Sequence, residues 1–467
     1  MPFSSCSLSL ALLFLGTMVV SSLGVRAAEV VELPLETWAS IPLEQRQLLD
    51  VLGRSSSGLR VVRDAAYRAA GLPSLERRIG LKRFSLAEAS VRWTLEAYVE
   101  TLSTYDRPPY LIVEQLGNSE EDRPIRALRL SNGEPEDRPV LVITGLLHAR
   151  EWSVVDSLMG VLAEFTAEPP PGDLAAILDQ LELVFVPVVN PDGYVHSYLY
   201  DALWRKNRRP NGAGAVGVDL NRNFPIHFNV EGNTQAASPS FPGLEAGSEP
   251  ETKVLMGLLE REQVVGLLDV HAYSQLLLHP WAAMTTPSQH HELLQNTLLE
   301  VAAAMVATNG GVSYRVGRPA DLLSYLGQGV GGSLMDYAHD RGTVHSYAVE
   351  LRPTEEAFDG FHLEDGELRT ATAELRAAIL TIAREVVRWK GDASSDGGAI
   401  PTGSDGEEVP QGEDISPSGS GSNSSTTGGC GRLRGGVVGD LSGWRFSSIL
   451  LGLFFLGSRG WRIVRSR

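Results

Sequence analysis

Two kinds of hydrophobic spacing alternate along the middle of the chain. "RPVLVITGLL" and "LELVFVPVV" are unbroken, Val-rich apolar runs of strand length, and "GLLDVHAY" and "SYAVELR" are two more. A strand that is apolar at successive positions is covered on both faces, so these runs predict the interior of a sheet. Between them, "WSVVDSLMGVLAEF", "PETKVLMGLLEREQ" and "LLQNTLLEVAAAMVA" carry apolar residues at helical spacing. "LRTATAELRAAILTIAREVVRW" (residues 368–389) predicts a closing amphipathic helix. Strands alternating with helices predict an α/β fold, a three-layer sandwich whose central sheet, mostly parallel or mixed, is flanked by helices, over residues 91–391.

The two ends follow other patterns. Leu8–Val20 is apolar and gives way to small residues, so residues 1–28 read as a secretory signal peptide. Residues 29–90 are Leu- and Arg-rich, with helical spacing in "LEQRQLLDVLGR", and read as a short pro-segment or an N-terminal flank. Residues 392–443 form a Gly-, Ser- and acid-rich linker holding the only glycosylation sequon, at Asn423. The tail, 444–467, contains an uncharged run of 12 residues, Phe446–Gly457, which is short for a membrane span. It reads as a membrane-attachment signal, as a short anchor followed by arginines, or as a plain apolar tail.

Charge and cysteine narrow the chemistry. The formal net charge is -17, which disfavours a nucleic-acid partner. Residues 391–430 carry seven acidic side chains, whereas 431–467 carry seven arginines, an asymmetry typical of tails. Cys6 and Cys430 are the only cysteines, so a metal in the central region must be held by His and carboxylates.

Candidate residues sit at the ends of the apolar runs. "VITGLLHAREWSV" stops a strand-like run at His148, with Arg150 and Glu151 just behind. A histidine and a glutamate three apart read as two metal ligands or as a strand end turning into solvent. A hydrolytic zinc site takes about three protein ligands and keeps one open position. His271, closing the run in "GLLDVHAYSQ", is the candidate third, although alone it reads as a backbone-bonded strand end. Glu350, between Val349 and Leu351, is the candidate base; burying it is costly without a partner, unless strand alternation turns it to solvent. "LWRKNRRP" and "GVDLNRNFP" bring Arg205, Asp219, Asn221 and Arg222 into loops. There a guanidinium and an amide either clamp a carboxylate or are simply solvated.

The segments "HAREW", "NPDGY", "WRKNR", "GVDLNRNF", "PGLEAGSEPET", "DVHAYSQLLLHPW", "GGSLMDY" and "VELR" follow one another across residues 95–390. In this order the chain resembles the zinc metallocarboxypeptidases of the carboxypeptidase A/B type. The resemblance implies an α/β sandwich, one zinc ion, and removal of the C-terminal residue from peptides or proteins. It implies His148, Glu151 and His271 as zinc ligands, and Glu350 as general base. Arg205 would stabilise the oxyanion of the scissile carbonyl, and Asn221 and Arg222 would bind the substrate's terminal carboxylate. Asp219 would orient the first ligand histidine, and Arg150 and Tyr273 would line the subsites before the scissile bond.

Two places depart from the family pattern. Tyr325 is the counterpart of a mobile tyrosine but stands a few residues farther from Gly-Gly-Ser. One extra residue puts the floor of the specificity pocket at Leu334 or Met335. Neither is charged, so the expected preference is for apolar or aromatic C-terminal residues. The competing readings are a zinc amidohydrolase or deacylase acting on small N-acyl substrates, and a non-catalytic peptide-binding relative. The presence of Glu350, Arg205 and all three ligands argues against the latter.

Overall fold

The computed structural model describes residues 29–33, 51–54, 59–63 and 91–395 except 108–109, 133–137, 169, 262, 324–329 and 355–359, together with Trp38, Ile41, Arg46 and Leu49. All of these belong to the first of two compact units, residues 1–406. The expected signal peptide, most of the expected linker, the C-terminal tail and Tyr325 lie outside the described residues. Among those described, no helix is long and apolar enough to cross a membrane.

Among the described residues, eleven strands and nine α-helices follow in chain order. The strands are β1 Glu29–Leu33, β2 Val51–Arg54, β3 Leu59–Arg63, β4 Leu111–Asn118, β5 Pro124–Leu130 and β6 Val140–Gly145, then β7 Glu182–Val186, β8 Val264–Ser274, β9 Leu276–Leu278, β10 Arg315–Gly317 and β11 His345–Thr354. The helices are α1 Leu95–Thr104, α2 Trp152–Phe165, α3 Gly172–Leu178, α4 Pro191–Leu199 and α5 Pro250–Arg261, then α6 His291–Asn309, α7 Pro319–Leu322, α8 Leu334–Asp340 and α9 Asp365–Ser395.

Eight strands form one mixed sheet in the order β10-β9-β11-β8-β6-β7-β5-β4. Its centre, β11-β8-β6-β7, is parallel throughout. Alternation along each central strand makes two cores. Leu141, Ile143, Leu268, Val270, Tyr347 and Val349 pack against α2, α6 and α9. Val140, Val142, Val184, Val186 and Leu267 pack against α5, α8 and Phe224. Both faces are thus covered, which is why these strands read as continuous apolar runs.

The N-terminal strands differ from the sequence expectation. β1, β3 and β2 form a separate antiparallel sheet, and "LEQRQLLDVLGR" ends in β2 where its spacing predicts helix. Val51 pairs with Val61 on β3, so cross-strand pairing of β-branched residues overrides the local helical spacing.

Helix α2 lies close over β6. A Cβ on Gly145 would meet Leu158 at 2.5 Å and Val154 at 2.8 Å, so a side chain there would push the helix off the strand. That contact holds the turn between them, which carries His148 and Glu151.

His345, at the start of β11, is buried, with its ring 5.5 Å from that of Trp389. Burial, helped by His290 and His339, pushes its imidazole down from 6.5 to about 4. As pH falls below 6.5 the unfolded chain takes up a proton that the folded chain refuses. This stability is therefore full above pH 6.5 and is lost as pH drops toward 4. His345→Gln is expected to flatten that loss by up to about 3 kcal/mol. Thermal unfolding of both proteins across the acid range measures it, and superimposable pH profiles would rule it out.

Candidate active site

β6, β8 and β11 are parallel neighbours, so their C-terminal ends open on the same edge, where α/β sheets place ligands. His148 and Glu151 occupy the turn from β6 into α2. On β8, Leu268, Val270 and Ala272 point into the core, which leaves Asp269 and His271 on the opposite face. Glu350 pairs with His271 across the β11–β8 ladder and shares a face of β11 with Ala348.

Three side chains converge. His148 Nδ1 lies 2.7 Å from Glu151 Oε1, and His271 Nδ1 lies 3.1 Å from Glu151 Oε2. The two Nδ1 atoms are themselves 3.1 Å apart. One ligand atom from each residue falls within 4.8 Å of the others, and all three residues are buried. Three ligand atoms from two imidazoles and a carboxylate thus converge on one point, an arrangement that a shared cation satisfies. Two histidines and a carboxylate are also a donor set that suits zinc.

The outer face of each imidazole meets a second carboxylate. His148 Nε2 stands 3.3 Å from Asp219 Oδ1, and His271 Nε2 stands 2.8 Å from Asp269 Oδ2. Asp269 is fixed in turn by Thr144 Oγ1, which donates to it at 2.7 Å. Asp219 accepts from Arg205 Nε at 3.0 Å and from the Asn221 N–H at 3.1 Å. Carboxylates in this position set the tautomer of a ligand histidine and raise its basicity.

The charges agree. Burial alone would raise the Asp219 carboxyl, but Arg205, Arg222 and His148 outweigh it and hold it well below its ordinary range. Burial also opposes charge on His271, yet Asp269 and Glu151 pull its imidazole well above its usual value. The surroundings of His271 therefore favour positive charge on its ring. Glu350 is the exception: burial, reinforced by Glu151, pushes its carboxyl up to about 7 despite His271 and Arg205.

Asn221 and Arg222 stand beside this centre. Asn221 Nδ2 lies 3.2 Å from His271 Nε2, and its Oδ1 accepts from the Leu334 N–H at 2.9 Å. Arg222 Nη1 donates to the Asn221 carbonyl at 2.7 Å. Gly332 has φ +66, and a Cβ there would come within 2.1 Å of the Arg222 carbonyl, so only glycine lets the two segments touch. Arg150 and Tyr273 meet at Phe361: the guanidinium lies 4.8 Å from that ring and Tyr273 packs on it at 5.1 Å.

Leu334 and Met335 separate. Leu334 joins the core with Phe224 and Tyr337. Met335 joins a small apolar cluster with Leu276, Leu278, Ala282 and Ala348, on the strand face that carries Glu350. Asp336 accepts from the Ala282 N–H at 2.9 Å and so ties α8 to this cluster.

Asp269 at the centre and Phe361 beside Arg150 and Tyr273 were not anticipated. Asp269 had a signal: it stands two residues before His271 in a strand, hence on the same face. Phe361 had none, because it lies between strand and helix in a segment without periodicity. Asp269→Asn keeps the volume but loses the charge behind His271, so divalent-metal affinity is expected to fall about 10- to 100-fold. Competition with a chelating dye measures it; undiminished affinity would remove Asp269 from this role.

The chain is similar to known proteins over the same region. The zinc carboxypeptidase family profile matches residues 95–378. Carboxypeptidase A2 of Rattus norvegicus is 32% identical over 315 residues, covering 64% of this chain and 72% of the relative. Carboxypeptidase B of Helicoverpa zea is 31% identical over 289 residues, covering 59% and 66%. Bovine thrombin-activatable fibrinolysis inhibitor, in complex with a tick carboxypeptidase inhibitor, superposes with a TM-score of 0.56 at 28% identity, covering 64% of this chain and 97% of that one. Carboxypeptidase A of Helicoverpa armigera has the same fold, with a TM-score of 0.66 at 23% identity over 78% and 97%.

Proposed function

The chain belongs to the zinc carboxypeptidase family, and from that premise we propose that His148, Glu151 and His271 hold one zinc ion beside Glu350, the general base. As a metallocarboxypeptidase it hydrolyses the C-terminal peptide bond. The observation that carries the site assignment is the convergence of the three ligand atoms next to a carboxyl raised to about 7. Bound zinc supplies a Lewis acid for the scissile carbonyl and acidifies water.

The chain's own groups do the rest. The Glu350 carboxylate removes a proton from the attacking water and returns it to the leaving amine as the C–N bond breaks. Arg205, held by Asp219, offers its guanidinium to the developing oxyanion. Arg222 and Asn221 take the substrate's terminal carboxylate, which confines cleavage to the last residue. Arg150, Tyr273 and Phe361 form the wall on the other side of the scissile bond.

The apolar preference belongs to the same proposal. Relatives named A and B match at 32% and 31%, so similarity does not choose between them. The apolar cluster of Met335, Leu276, Leu278, Ala282 and Ala348 supports a preference for apolar C-terminal side chains, with Met335 as the floor in this reading. Peptides differing only in their last residue test this. Release of Phe or Leu should far outpace release of Lys or Glu, and equal rates would overturn the preference.

The clamp has its own test. Arg222→Ala removes a charge-assisted contact, so KM is expected to rise about 10- to 100-fold with a smaller change in kcat. An unchanged KM would remove Arg222 from the clamp. A leader-like N-terminus and a tail with an apolar run favour an enzyme that is secreted or surface-tethered.

A further inference from the structure

We infer that Glu231 is a positioning residue that acts through Arg222 and limits how tightly the terminal-carboxylate clamp holds its ligand. The inference rests on the reading of Arg222 as that clamp. Glu231 Oε1 lies 3.7 Å from Arg222 Nε, with side chains only 9% and 17% exposed. The same oxygen accepts the Gly331 N–H at 3.0 Å.

The distances separate two roles. At 3.7 Å the Nε–Oε1 contact is an ion pair and not a hydrogen bond. The guanidinium is oriented instead by Nη1 on the Asn221 carbonyl, and its backbone by the close approach of Gly332. Glu231 therefore supplies charge. A second carboxylate arriving at Arg222 would share the cation with Glu231 and meet its repulsion in a poorly hydrated site.

Such a device has a use in an exopeptidase. Peptide substrate and released amino acid both carry the carboxylate that Arg222 would bind, so an unopposed clamp would hold the product as readily as the substrate. Partial neutralisation weakens both and speeds release, which matters where product departure limits turnover.

Glu231→Gln keeps an oxygen for the Gly331 N–H and removes the charge. In the full-length zinc enzyme acting on a peptide ending in Leu, KM is expected to fall about threefold or more. The inhibition constant of free leucine should fall in parallel, while kcat changes less or declines. Glu231→Asn should move both constants the same way, and Glu231→Asp, which keeps the charge, should stay near the parent. Loss of a purely structural contact would raise KM and lower Tm, so a fall in KM with Tm preserved is diagnostic.

A KM that is unchanged or higher in both neutral variants overturns the inference. Arg222→Ala, run alongside, separates the two readings. If it leaves KM alone, the clamp assignment fails. If it raises KM while the neutral Glu231 variants do not lower it, only the role of Glu231 fails. In the double variant Glu231→Gln, Arg222→Ala, the Glu231 effect should vanish.

Discussion

Replacing Glu350 with glutamine is expected to lower kcat by about 10²- to 10⁴-fold while zinc content stays at that of the parent. The amide has the volume of the acid but cannot take a proton from water. Glutamine fills the same partly buried place on β11. The variant should therefore unfold at a temperature no lower than the parent's. A large loss of activity with zinc and stability intact identifies a group needed only for the proton transfer. Activity within a few-fold of the parent would transfer the role of base to another residue. Lost zinc would make Glu350 part of the metal site.

Removing the metal should be as severe. Dialysis against a chelator is expected to abolish hydrolysis of every peptide, and added zinc should restore it. His271→Ala should leave no activity that zinc can rescue, because the alternative donors at that corner, Asp269 and Asn221, sit behind the ring rather than at its Nδ1. The metal-free protein should also be less stable, by about 3–4 kcal/mol in zinc at 100 to 1,000 times its dissociation constant. The mechanism of that loss is visible at the site. Without a cation, two Nδ1 atoms 3.1 Å apart face each other beside Glu151. Chelator-resistant hydrolysis, or an identical Tm with and without zinc, would contradict the assignment of these ligands.

Much of this site was legible in the chain because its chemistry demands uncommon residues at strand ends. His148, Glu151 and His271 interrupt apolar runs, and Glu350 lies inside one. A charged or ligating side chain is costly to bury in a strand, so it persists there where chemistry needs it. The alternation of the same runs also indicates which residues share a face, so Asp269 could have been paired with His271. The α/β class was legible for a related reason. Continuous apolar strands need helices on both faces, and α2 and the closing helix α9 lie where their spacing predicts.

Other features were not legible. Which apolar cluster Leu334 and Met335 each join depends on a rotation of about 100° at the start of α8. That rotation is set by the Ser333 cap and by the Leu334 N–H donating to Asn221, a residue far away in sequence. β2 was misleading because pairing with β3 outweighs a local helical period. Phe361 and Glu231 carry no periodic signal, and their roles exist only through Tyr273, Arg150 and Arg222.

The sequence by itself determined the candidate ligand types, the faces they share along each strand, and the apolar layers that hold the sheet, because these depend on residue chemistry and the local period. The tertiary structure alone decided which faces meet. His148 and His271 lie 123 residues apart, and the parallel register of β6, β8 and β11 brings them together. It also decided which neutralising charge stands beside each functional one, Asp219 at Arg205 and Glu231 at Arg222. Coulomb interactions depend on distance in space, and distance along the chain does not encode it.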